Sequence, residues 1–238
     1  MGRTALKTAL VDVGGTIWPE RSWPSWETTL AGRVERLRLA GVEPRRIEAL
    51  LEELGERTAG ADELEYFDIW AAIEDACTAA GVKGVSAESV RGALVLPAAD
   101  HLKPLTGASL LLECLSDLGL RCVIASNGIL RNEADYWADF RAQGLDRLIH
   151  AVVSSVDTCW RKPNRGFFDV VLQAAGASAE ACLMIGNSET KDIEPAATLG
   201  MRTIRVAIEE PVPITTSADA LCGSLEDAAQ AVRQLLNG

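Results

Sequence analysis

Two hydrophobic patterns alternate along this chain, and one segment breaks the alternation. Short apolar runs around Ala9–Val11, Arg121–Ala125, Ala151–Ser154, Cys182–Ile185 and Thr203–Ala207, the first of them free of charge, suit buried strands. Between them, apolar residues recur at helical spacing. The stretches are about Thr106–Leu118, Asn132–Gln143, the run holding Phe167, Phe168, Val171 and Leu172, the region near Glu194–Leu199, and Leu225–Leu235. Strands that alternate with helices predict a parallel, doubly wound α/β sheet. Residues 19–97 contain no comparable strand. There Trp26, Leu30, Val34 and Leu37 mark one helix, and Glu43-Pro44 opens a second carrying Ile47, Leu50, Leu51 and Leu54 and ending near Gly55. A third is predicted from about Asp62 to Ala80, with Tyr66, Trp70, Ile73 and Cys77 along one face. Ser86 caps a fourth that runs through Leu94. The pattern therefore predicts an α/β unit made of residues 1–18 and 98–238, with an all-helical domain, residues 19–97, inserted after the first strand.

Composition narrows the partners more than the fold. At 238 residues, with 48% hydrophobic and 24% charged residues, the chain has the make-up of an ordinary globular protein. A net charge of −11 argues against nucleic acid or an anionic membrane as a partner, while leaving room for a local site that binds a small anion. No apolar run approaches the ~20 residues needed to span a bilayer. The start, Met1-Gly2-Arg3-Thr4-Ala5-Leu6-Lys7, lacks the apolar segment of a secretory leader, so a cytoplasmic location is expected. Six scattered cysteines without a Cys-x-x-Cys pair, and only two histidines, predict free thiols and no zinc site.

Candidate chemistry collects at the strand ends. The first apolar run stops at Asp12-Val13-Gly14-Gly15-Thr16, where the glycines allow a tight turn and close approach of backbone to a ligand. Later runs end at Ser126-Asn127, precede Lys162-Pro163, or end at Gly186-Asn187 with Asp192 five residues on. Each has an ordinary explanation when taken alone. Asp-x-Gly-Gly makes a turn, Ser-Asn caps a strand, Lys-Pro enters a helix, and an aspartate favours a first helical turn. Four such ends in one chain put polar side chains together above a parallel sheet, where open α/β folds bind ligands.

In this order and spacing the four motifs resemble the haloacid dehalogenase-like hydrolase superfamily, most of whose members are Mg²⁺-dependent phosphatases. The resemblance covers about residues 6–18 and 100–230 and implies a Rossmann-like core, with residues 19–97 in the place of the family's helical cap. It makes Asp12 the nucleophile that forms an aspartyl-phosphate, dividing one hard hydrolysis into two easier steps. Lys162 pairs with Asp12 or with the phosphoryl oxygens, while Ser126, Asn127 and backbone N–H groups near Gly14 and Gly15 bind phosphate. Asp12, the Gly14 carbonyl, Asn187 and Asp192 hold Mg²⁺. The implied substrate is a small phosphorylated metabolite, and nothing in the sequence fixes an oligomeric state.

Two positions depart from the family pattern. Gly14 stands where the phosphatases carry the aspartate that protonates the leaving oxygen, and Asn187 replaces an acid of the metal site. The first loss matters least for an acidic leaving group, and a carboxylate such as Glu20 or Glu27 offers a substitute. The second predicts weaker, not absent, Mg²⁺ binding. Two alternatives stay open: metal-free carbon–halogen hydrolysis on a 2-haloacid, and a phosphoryl-ligand-binding protein with little turnover. Three of the six tryptophans, Trp18, Trp23 and Trp26, follow the first motif within nine residues. They either pack the helical domain on the core or wall an organic substrate, with Arg21 available to a second anion.

Overall fold

The computed structural model describes residues 4–211 and 215–237, so the first three residues of the expected 1–18 segment lie outside it. In chain order the elements are β1 (Thr8–Val11), α1 (Trp26–Leu39), α2 (Pro44–Thr58), α3 (Ile69–Ala80), α4 (Ala87–Leu94), α5 (Ala108–Asp117) and β2 (Arg121–Ser126). Then follow α6 (Glu133–Ala142), β3 (Ala151–Ser154), α7 (Ser155–Thr158), α8 (Arg165–Ala175), β4 (Cys182–Gly186), α9 (Glu194–Thr198), β5 (Arg202–Val206), β6 (Ala220–Cys222) and α10 (Leu225–Asn237).

The six strands form one sheet in the order β3-β2-β1-β4-β5-β6, and every neighbouring pair is parallel. This is the doubly wound, Rossmann-like α/β fold that the alternation predicts. The strands are mostly apolar because both faces are covered, with the charges confined to Arg121 at the start of β2 and to Arg202 and Arg205 of β5. Ala9, Val11, Cys122, Ile124, Leu183 and Ile185 point into one core, which Leu111, Leu115, Phe140 and Val232 complete. Leu10, Val123, Ala125, Cys182 and Met184 point into the other, with Phe167, Phe168 and Val171 of α8. From β1 the chain builds outward through β2 and β3, then returns to β4 on the other side of β1. The direction of winding thus reverses between β1 and β4, and a crevice opens at their carboxyl ends.

Helices α1–α4 lie between β1 and β2 in sequence and bury their own cluster, including Leu37, Ile47, Leu50, Leu54, Ile73, Val90 and Leu94. Details differ from the sequence reading for local reasons. Helix α2 runs three residues past Gly55, which sits inside it. Helix α3 starts at Ile69, not near Asp62, because the Asp68 side chain caps the N–H groups of Trp70 and Ala71. Residues 64–68 are outside any helix, and Tyr66 instead bridges to Trp160, with ring centroids 4.9 Å apart. Strand β6 and the single turn α7 are too short for a periodic signal.

Candidate active site

Asp12 directly follows β1, and its backbone N–H donates to the Ile185 carbonyl of β4 at 2.9 Å, which pins it at the reversal point. The loop after it folds back tightly. The N–H groups of Thr16, Ile17 and Trp18 all donate to the Val13 carbonyl, and the Gly15 N–H donates to the Trp18 carbonyl at 2.8 Å. Gly15 has φ +67, and a Cβ there would overlap the Asn187 amide, so only glycine fits.

Lys162 organises the floor. Its Nζ donates to Asp12 Oδ1 at 2.6 Å, to Asp192 Oδ1 at 2.6 Å and to the Ala125 carbonyl at 2.9 Å. All three ionisable groups are buried. Burial disfavours the Lys162 ammonium, but Asp12 and then Asp192 outweigh it and hold its pKa above the ordinary lysine range. Burial likewise pushes the Asp192 carboxyl up, against the pull of Lys162. Asp192 Oδ2 also accepts the Ser188 N–H at 3.0 Å. Gly186 makes room for it, since a Cβ at that position would stand 2.5 Å from Asp192 Oδ2. Among the described residues Asp12 Oδ2 meets only the Thr16 hydroxyl, at 3.4 Å.

The structure brings the other sequence candidates to the same crevice, with more definite duties. Asn127 clamps the Lys162 backbone from both sides, donating to its carbonyl at 2.9 Å and accepting its N–H at 2.8 Å. Its side chain thus positions Lys162 while lining both cavities described below. The Gly15 N–H is turned toward the Trp18 carbonyl. Ser126 Oγ lies 2.7 Å from the hydroxyl of Tyr136, a residue on α6 that nothing in the sequence pattern singled out. Arg161, missed beside Lys162, is 2% exposed and bonds the Gly128 carbonyl at 2.7 Å and Asp62 at 3.1 Å. Arg21 pairs with Glu210 on the surface at 3.2 Å and lines neither cavity described below.

Two cavities meet over this floor. A polar one of about 520 Å³ is lined by Asp12, Lys162, Asp192, Asn187, Ser188 and Arg161 among others. The second, of about 390 Å³, has largely apolar walls that include Trp18, Trp23, Leu94, Leu96, Ile129 and Leu130. Four residues line both: Gly14, Glu20, Ser126 and Asn127. A Cβ built on Gly14 would lie 4.0 Å from the carboxyl carbon of Glu20, so Glu20 brings its acid beside the position the glycine leaves bare. The Glu20 backbone N–H donates to Glu209 at 2.6 Å, and Asn187 Nδ2 reaches Glu20 Oε2 at 3.5 Å. Glu27, the other candidate, sits in the first turn of α1 and lines neither cavity.

The model of the haloacid dehalogenase-like hydrolases matches residues 6–200. The chain belongs to that family. Two curated relatives share part of it. Glyceraldehyde 3-phosphate phosphatase of Methanothermobacter thermautotrophicus is 31% identical over 108 residues, which is 45% of this chain and 46% of the relative. The protein of the same name from Methanocaldococcus jannaschii is 29% identical over 92 residues, 39% of each. Each match thus spans less than half of the relative's length. Among solved structures, a haloacid dehalogenase-like (HAD) phosphatase from Thermococcus onnurineus superposes with TM-score 0.62 at 18% identity, covering 95% of this chain and 98% of its own. A 2-haloacid dehalogenase from Pseudomonas syringae pv. Tomato DC3000 gives 0.63 at 19% identity, covering 97% and 99%. At these identities both likenesses speak to the family's fold alone.

Proposed function

We propose that this protein is a phosphatase that hydrolyses a phosphate monoester through an aspartyl-phosphate on Asp12, with Mg²⁺ as cofactor and Glu20 as the proton donor. The observation that carries the reading is the buried Asp12–Lys162–Asp192 cluster at the reversal point of the sheet. The phosphatase names of the two curated relatives support it. Lys162 holds the Asp12 carboxylate through Oδ1, and Oδ2, whose one contact among the described residues is the long one to Thr16, is the oxygen freer to attack phosphorus. The P–O bond to the alcohol breaks, its electron pair goes to the leaving oxygen, and Glu20 supplies the proton there. Water then attacks the phosphoryl group and gives a proton to Glu20, the bond from phosphorus to Asp12 breaks with its electron pair going to the carboxylate, and phosphate departs.

The residues present suit Mg²⁺. Among the described residues no three His, Cys, Asp or Glu side chains surround one point. The donors are two carboxylates plus carbonyl oxygens, the hard set that this cation takes with several waters. Asp12, Asp192, the Gly14 carbonyl and Asn187 would hold it, and it would offset phosphate charge that repels Asp12. Helices α1–α4, between residues 19 and 97, act in this reading as the cap that closes the organic side of the site.

Release of inorganic phosphate from an aryl phosphate, with Mg²⁺ and with EDTA, tests the reading. Turnover that needs both Mg²⁺ and Asp12, and that Asp12→Asn abolishes, is expected. Halide release from a 2-haloacid in EDTA, without phosphatase activity, would replace it.

A further inference from the structure

The apolar side of the site does not end at the first chamber. A further cavity of about 400 Å³ is lined by Trp23, Pro24, Trp26, Arg33, Leu51, Leu54, Gly55, Thr58, Leu94, Ile129 and Leu130. Its wall is continuous with that of the chamber beside Ser126, because Trp23, Arg33, Leu94, Ile129 and Leu130 belong to both. An apolar track therefore leads from the polar floor, past Trp18 and Trp23, to Trp26 and the inner side of α2.

The arginines and the tyrosine along this track are engaged by the protein itself, and the buried Trp18 Nε1–H is left without a partner among the described residues. Arg131 pairs with Asp139 and the Leu96 carbonyl and stacks near Trp23 and Tyr136, 5.1 and 5.7 Å from the ring centroids. Arg33 bonds Thr29 and the Leu94 carbonyl, and its guanidinium lies 4.2 Å from the Trp26 ring centroid, a cation–π contact. The Tyr136 hydroxyl belongs to Ser126. A sugar or a three-carbon aldehyde would lose its hydration shell here and find few free partners in return. A hydrocarbon body finds aromatic and aliphatic walls.

Building on the phosphatase reading, we infer that the substrate class is phosphate monoesters of hydrophobic alcohols, with the organic group running from Ser126 toward Trp26. The tryptophans that follow the first motif then have a common duty. Trp18 and Trp23 wall the near chamber, and Trp23 and Trp26 wall the far one. Trp23 and Trp26 are 37% and 41% exposed, so both rings keep area open to an apolar group.

A series of n-alkyl phosphates from propyl to decyl tests this, because the acidity of the alcohol stays nearly constant while apolar contact grows. In the wild type kcat/KM should rise about two- to fourfold per methylene, the scale for moving a CH₂ out of water, until the track is filled. Gly55→Trp should truncate that rise for the longer esters. A Cβ at Gly55 meets nothing within 4 Å, and the position is helical without positive φ, so the variant should fold. Trp26→Ala should flatten the same part of the series. The ladder should also appear as binding to Asp12→Asn, read by tryptophan fluorescence. No Asp12-dependent phosphate release with the binding ladder intact overturns the phosphatase reading but supports the apolar track. A flat or falling series in both readouts, or one that Gly55→Trp and Trp26→Ala leave unchanged, overturns the track. So does a preference for esters with a terminal carboxylate that Arg33→Met removes, since that would make the track an anion seat.

Discussion

The floor of the site and the chambers above it are built on opposite principles. On the floor, Asp12, Lys162 and Asp192 are buried, and most of their polar atoms have a named partner within 3.4 Å. Three strand ends and one loop converge there, so one substitution leaves charge stranded in a low-dielectric setting. The chambers draw their walls from α1, α2, α4 and the loops after β1 and β2, and contact there is apolar and non-directional. In the proposed reading the floor fixes which reaction is possible, and the chambers fix which alcohol is accepted. Substitutions should therefore be intolerable below and graded above.

Asp12→Asn gives the largest expected effect: phosphate release falls to background while the fold persists, as circular dichroism would check. Lys162→Met comes next, because it leaves two carboxylates buried and facing each other. Denaturant unfolding should show a loss of about 3–5 kcal/mol together with loss of activity. Glu20→Gln touches no buried group and should spare stability. It should lower kcat for alkyl phosphates by roughly 10²–10⁴-fold and far less for aryl phosphates, whose leaving oxygen needs no proton. Gly14→Asp in that background should restore alkyl ester turnover, and an equal loss for both ester types would remove Glu20 from the chemistry.

Smaller effects should mark the rim and the chambers. Glu189 is partly desolvated, which raises its pKa. Hydrogen bonds from Ser217 and Thr216, with Arg205 behind them, win and pull it down to about 2. Its carboxylate thus adds stability above the ordinary glutamate range, and that stability is lost as pH falls toward 2. The melting-temperature gap between wild type and Glu189→Gln should be constant from pH 5 to 8 and should narrow below pH 4.5. Gly55→Trp should change stability least, by a gain of at most about 1 kcal/mol from helix propensity. A large loss there would contradict an open far chamber.

The same contrast explains what could be read before the structure. The strands were legible because burial on both faces leaves them mostly apolar, and the floor because each catalytic candidate terminates or follows such a run. Tyr136 and Glu209 carried no signal, since a helix-face tyrosine and a loop glutamate acquire their roles only by meeting Ser126 and the Glu20 backbone in space. Glu20 could be nominated beside Glu27 but not chosen, because its reach toward Gly14 depends on how the loop after β1 folds back. The start of α3 was misplaced because apolar residues from Tyr66 onward keep helical spacing, while the Asp68 cap decides where the helix begins. The chambers were invisible for a similar reason: their walls come from segments far apart in sequence and share no periodicity.

The most direct test of the central claim is the mass of the Asp12-containing peptide from protein acid-quenched during turnover of an aryl phosphate. The account predicts a transient gain of one phosphoryl group on Asp12, absent from Asp12→Asn. Steady phosphate release with no phosphoryl group on Asp12 at any quench time would contradict it.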